Sequence, residues 1–229
     1  MNKYKPDYRS LMLQTKEYSS DKVKQALVSA SKVPLHIFGH QTLRFKAHND
    51  GAFAQELSMA QRFSAKIEPS IYKINDILSQ VEKLSDKITE PRILASYYLS
   101  MGRILATKCR IESYNLILAQ AKSGIKKQDP KTNIWILVPD SEFKVDNSVL
   151  NKNFQASQKY LKYIVDNFPD TPWALIAKEE LKMPMGYKWI EHYEEPPKPN
   201  NGGGGNNNPG DDKAGPKLIP KPQRKIDKI

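Results

Sequence analysis

The chain has 229 residues, of which 39% are hydrophobic and 27% charged, and it carries a net charge of +11. That length suits one domain or two small ones, and no run approaches the roughly 18 apolar residues of a membrane-spanning helix. Cys109 is the single cysteine, which excludes an intramolecular disulfide and a cysteine-based zinc cluster.

Residues 1–19 read as irregular. Their longest apolar run, Leu11-Met12-Leu13, is too short for the apolar core of a signal peptide. With Met1 as the native start, a cytoplasmic chain is expected. Helical pattern begins near Ser20: Ser20-Asp21 cap a run with Val23, Ala26, Leu27 and Ala30 on one face, and Pro34 ends it. PLHIFGHQTLRF, residues 34–45, holds Gly39 and alternates around Leu43 and Phe45, so it reads as a loop or a short extended segment.

Asn49-Asp50-Gly51 signals a helix start. Phe53, Leu57, Ala60 and Ile67 then recur near helical spacing. Glu68-Pro69 predicts a break or an N1 proline. From Ile71 to Ile88 a stripe of Ile71, Ile74, Ile77/Leu78, Val81 and Leu84/Ser85 predicts an amphipathic helix. Pro91 takes the first position of the next one. Residues 92–124 carry apolar side chains around most of the circumference, which predicts a central helix with neighbours on several sides. Gly124 is its natural stop.

Residues 125–147 read as a connection, with IWILVP (134–139) a short extended segment against the helical core. Helical pattern resumes at Ser148 and runs to Phe168. Pro169 cannot continue it. Thr171 suits the cap of another helix and Pro172 its first position. Helix, sharp turn, helix is a helical hairpin. Ala156, Ala174 and Ala177 are small where its two backbones approach. The pattern is that of one tetratricopeptide-type pair, without a second good copy at that period. After Leu181 the chain leaves the helix, with Tyr187 and Trp189 pinning it to the body.

Residues 196–229 hold four consecutive glycines, many Asn and Pro, and few large apolar side chains. They cannot bury enough surface to offset chain entropy and read as disordered. The fold class expected is mainly α: an irregular helical bundle with tetratricopeptide-like hairpins over residues 20–195, and a disordered C-terminal tail.

PLHIFGHQTLRF, IEPSIYKINDIL, EPRILASYYLSMGRILATKCRIESYNLILAQAK, NIWILVPD and YLKYIVDNFPDTPWALIAKEELKMPMGYKWIEHYE together resemble the C-terminal region of large bacterial proteins that carry a von Willebrand factor A domain upstream. The resemblance spans about residues 30–195 and extends to the Pro/Lys-rich tail. It implies a helical module with no activity to carry over. The Asp-x-Ser-x-Ser metal loop of the A domain does not occur here. The chain is then either the C-terminal piece of a longer protein or a shortened relative.

The candidate chemistry is sparse. His36, His40 and His48 share one loop region, but Gly39 interrupts the first pair and no third ligand has metal-site spacing. His192 has no obvious partner. Cys109 sits in an apolar helical run and reads as a small buried hydrophobe. Glu179-Glu180 and Glu194-Glu195 are adjacent, so the members of each pair point to different faces. The glycine run at 202–205 is followed by Asn rather than Lys-Ser, and reads as a linker rather than a phosphate loop. No catalytic residue, cofactor site or metal site is expected.

Tyr97, Tyr98, Tyr114, Trp135, Tyr160, Tyr163 and Trp173 mostly fall among aliphatic residues at stripe positions, which favours core. A concave helical-repeat surface also presents Tyr and Trp to a peptide. Tyr160, Tyr163 and Trp173 on the hairpin are therefore the candidate interaction surface. The reading favoured is a non-enzymatic interaction or scaffolding domain with a protein partner. The alternative is a basic nucleic-acid or polyanion binder. The tail holds a surplus of four positive charges and the other seven are scattered over residues 1–195, whereas a nucleic-acid footprint is a stripe on one face.

Overall fold

A computed structural model describes residues 4, 21–34 and 41–195. The irregular segment expected at 1–19, Tyr4 apart, lies outside these described residues, as do His36, His40 and the tail expected to be disordered at 196–229. The described body belongs to one compact unit that ends at Glu194, and it is mainly α.

The helices start where the sequence offers caps. Helix α1 (Lys22–Ser31) is capped by Asp21, whose carboxylate accepts from the backbone N–H of Val23 and Lys24. Asn49 caps α2 (Asp50–Ser79) by accepting from Ala52. Pro91 opens α3 (Pro91–Lys122) at a position where no N–H is needed. Gly124, just beyond it, holds φ at 117°, the left-handed conformation of a C-terminal stop. Asn147 caps α4 (Ser148–Asn167), and Thr171 caps α5 (Pro172–Lys182) with Pro172 in its first turn.

Two expectations about α2 are corrected. The helix does not break at Pro69 but runs through it to Ser79. Buried side chains lie on both sides of the proline, Ile67 and Ile71 nearest, while Pro69 and Ala65 are exposed. The Ala65 carbonyl, which loses its donor, can therefore be taken by water. Packing of the stripe holds the helix together across the defect. The stripe predicted as one helix from 71 to 88 is instead divided. The α-helix ends at Ser79 and a 3-10 segment follows at Glu82–Lys87.

Three strands form an antiparallel sheet in the order β1-β2-β3: β1 (Arg44–Lys46), β2 (Ile134–Asp140) and β3 (Gly186–His192). The extended segment expected near 134–139 is β2, and the extended alternative for 34–45 holds at its end. β3 corrects the reading of residues after Leu181 as an irregular exit. In the register Phe45 faces Trp135, Trp135 faces Glu191 and Leu137 faces Trp189. Trp189 meets Phe45, Phe53 and Trp135 edge-on at 5.5, 6.5 and 6.2 Å, geometry that suits the ring quadrupole. Tyr187 does the same with Tyr114 at 5.7 Å. Both residues pin the chain to the body as expected.

Helix α3 is central. Its residues enter every buried cluster among the described residues: with α1 and α2 through Tyr97, Met101 and Leu105, with the sheet through Tyr114 and Leu118, with α4 and α5 through Ala95 and Leu99, and with Leu150 and Met185 through Ala106 and Cys109. It comes close to α4 at Gly102. A Cβ there would lie 2.7 Å from Leu161 Cγ, and the Gly102 carbonyl accepts from Ser157 Oγ at 2.8 Å. The lack of a side chain lets α4 come close enough for a buried hydrogen bond between helices.

Candidate functional site

The α4–α5 hairpin carries the residues singled out in the sequence. Its turn is fixed locally: Phe168 ends α4, Asp170 takes a left-handed φ of 58°, and Thr171 Oγ1 donates to the Phe168 carbonyl at 2.6 Å. Beneath the turn, Leu161, Ile164, Phe168, Ala174 and Ala177 pack against Ala95 and Leu99 of α3. Ala174 and Ala177 thus sit where helices approach, as expected. Ala156 does not: it packs with Tyr160 toward the cluster of α1, α2 and α3.

Of the three candidate surface residues, Tyr160 is buried at 9% exposure. Its hydroxyl donates to Glu82. Burial, then that hydrogen bond, holds its pKa well above the ordinary tyrosine value. It joins α4 to the 3-10 segment and offers little to a partner. Tyr163 is 37% exposed, with its ring 4.6 Å from Tyr98 and 6.3 Å from Phe168. Trp173 is half-buried, and its indole N–H donates to Ser96 Oγ at 3.1 Å, which fixes the ring. Tyr163 and Trp173 therefore both lie beside Phe168, whereas Tyr160, 5.3 Å from Tyr98, belongs to the cluster of α1, α2 and α3.

Tyr4 is the residue the sequence reading missed. Its ring lies 5.9 Å from Trp173 and 6.3 Å from Phe168. Tyr4 lies in a polar stretch with no sustained apolar period, so nothing in the sequence placed it. On the outward side of α5, Leu175 and Ile176 are exposed at 64% and 41%.

The other end of α5 holds buried charge. Glu180 is buried, and its carboxylate accepts from Arg110 Nη1 at 2.6 Å and Arg103 Nε at 3.2 Å. Arg110 also donates to the carbonyls of Pro184 and Met183, and Ser113 Oγ donates to that of Met185 at 2.7 Å. The network clamps the α5–β3 connection onto α3. Glu179, its neighbour, points outward to Lys182, so the two carboxylates do diverge.

No acid–base constellation accompanies this framework among the described residues. The groove between α1, α2 and α3, about 350 Å³, has Ser31, Ser100, Arg103 and Thr107 as its polar lining, and Arg103 is engaged by Glu180. The Cys109 thiol is buried and donates weakly to the Leu150 carbonyl; burial pushes its pKa up to about 12, so the nucleophilic thiolate is scarce. No group of three or more His, Cys, Asp or Glu side chains among the described residues is placed to hold a metal. No described helix is long and apolar enough to cross a membrane. Comparison with known proteins found no matching family model, curated protein or solved structure.

Proposed function

We propose that the chain is a non-enzymatic protein-interaction or scaffolding domain that binds through the outward side of the α4–α5 hairpin. The observation that carries this reading is the pair Leu175 and Ile176, exposed at adjacent positions of a helix whose inner side is packed. Exposed neighbouring aliphatics on a rigid element suit a protein partner. The tetratricopeptide-like character is supported by the Pro-ended, Thr-capped turn and by the small residues Ala174 and Ala177 against α3. Membership in the C-terminal region of von Willebrand factor A-type proteins is supported by the residue series quoted above.

The test uses the whole chain as bait beside a Leu175→Asp, Ile176→Asp variant. Both positions are exposed, so the thermal midpoint should stay within a few degrees of the parent. Proteins bound by the parent are expected to be lost by the variant. Equal capture by both would overturn the hairpin surface.

The net charge of +11 favours a second reading, polyanion binding. Its mark is an affinity for RNA or DNA that falls steeply with each doubling of salt and is indifferent to the α5 substitutions.

A further inference from the structure

We propose that the aromatic recess at the α4–α5 turn is a tyrosine-recognition site, and that Tyr4 of the same chain is its resident occupant. This deepens the interaction reading above and rests on it in one respect: a partner that reads the hairpin turn must bring an aromatic side chain and displace Tyr4.

The aromatic side chains that Tyr4 meets are held by restraints of their own. Phe168 forms the floor of the recess and is 5% exposed. Trp173 forms one wall, held by the bond from its indole N–H to Ser96. Tyr163 lies beside Phe168 at 6.3 Å, its ring tilted on Tyr98 at 4.6 Å. The turn itself is locked by Thr171, which donates to the Phe168 carbonyl and accepts from the Ala174 N–H. None of these restraints uses Tyr4. Aromatic side chains fixed in this way suit the anchoring of another aromatic ring.

Tyr4 fills it in the geometry such rings prefer. It stands edge-on to Phe168 at an interplanar angle of 62° and tilted on Trp173 at 43°. The ligand class is accordingly an aromatic side chain, tyrosine in the example the chain itself supplies.

A cis occupant lowers the apparent affinity for any competitor by the fraction of time the recess stands open. A recess closed nine-tenths of the time would bind a competing peptide about tenfold more weakly than an open one. Substitution of Tyr4 should therefore raise the affinity for a tyrosine peptide, not lower it.

The experiment follows the Trp173 indole N–H resonance in the full chain, assigned by its loss in Trp173→Phe. The probe is the synthetic peptide MNKYKPD, with MNKAKPD as control. In Tyr4→Ala the resonance is expected to move, MNKYKPD to return it to the parental position, and MNKAKPD to leave it displaced. The parent should bind MNKYKPD about tenfold more weakly than Tyr4→Ala does. Tyr4→Phe, which keeps the ring, should retain the parental resonance and guards against a folding defect.

A resonance unmoved in Tyr4→Ala, or equal peptide affinity in parent and variant, would overturn the proposal. A parental resonance that drifts to the Tyr4→Ala position on dilution would assign the occupant to a second copy and overturn the cis placement. None of these readouts involves Leu175, Ile176 or a captured protein, so failure here is separable from failure of the α5 surface.

Discussion

Glu180 concentrates the electrostatics of the body in one side chain. It is 4% exposed and holds two guanidinium groups, one of them, on Arg110, largely buried as well. Removing one partner from such a group strands the opposite charges away from water, at a cost of about 3 kcal/mol or more. Arg103 is mostly solvated, so the uncompensated burden falls on Arg110. Glu180→Ala is expected to lower unfolding free energy by about 3 kcal/mol, measured by urea denaturation. Glu180→Gln, which keeps the acceptor oxygen, should lose less. Equal stability of parent and Glu180→Ala would mean that Arg110 is held by the Met183 and Pro184 carbonyls alone. The sequence showed that Glu179 and Glu180 must diverge, because adjacent helical positions point apart. Which of the two is buried depends on Arg103 and Arg110, 77 and 70 positions earlier, and no local pattern reports that.

At the scale of elements, what was legible was what is written locally. Asp21, Asn49 and Thr171 announce helix starts through bonds to residues two or three positions away, and Pro172 through a fixed φ that needs no donor; all did so correctly. Proline 69 is the instructive failure. As a local signal it means a break; in the folded chain the buried residues either side of it outweigh the lost bond. An interior proline costs a helix about 3 kcal/mol, offset by about 0.4–1 kcal/mol from its stiffening of the unfolded chain. Pro69→Ala should therefore stabilise the protein by about 2 kcal/mol, read as a higher thermal midpoint with unchanged helical content. A lower midpoint would show that α2 needs a bend there to keep Ile67 and Ile71 seated. β3 was missed for another reason. It alternates only as Tyr187, Trp189 and Glu191 inward, too little to stand out beside helical runs. β3 also becomes a strand by pairing with β2, whose residues begin at Ile134, and pairing is not a property of either segment alone.

The whole molecule is organised by α3, and its prominence in the sequence had the right physical meaning: a helix apolar around most of its circumference has neighbours on every side. Its first half packs with α1, α2 and α5, and its second half with the sheet. Two of the strands bracket it in sequence, and β3 returns from beyond α5 to close the sheet against its C-terminal half. Because one continuous helix crosses all the buried clusters, opening the sheet exposes the Tyr114 and Leu118 side of α3, and opening the hairpin exposes Ala95 and Leu99. Each end of α3 therefore loses its cover when the other is disrupted only if the helix itself unravels, and helical stability in a folded protein comes mostly from tertiary packing. The expected consequence is one cooperative transition for the described body. In a Trp173→Phe background the remaining indoles, Trp135 and Trp189, report on the sheet, while far-ultraviolet circular dichroism reports on the helices. The two signals should share one midpoint and one slope in urea. A fluorescence change that precedes the loss of helical signal would mean that the sheet end opens independently, and that α3 joins two separately folding halves rather than serving as one core.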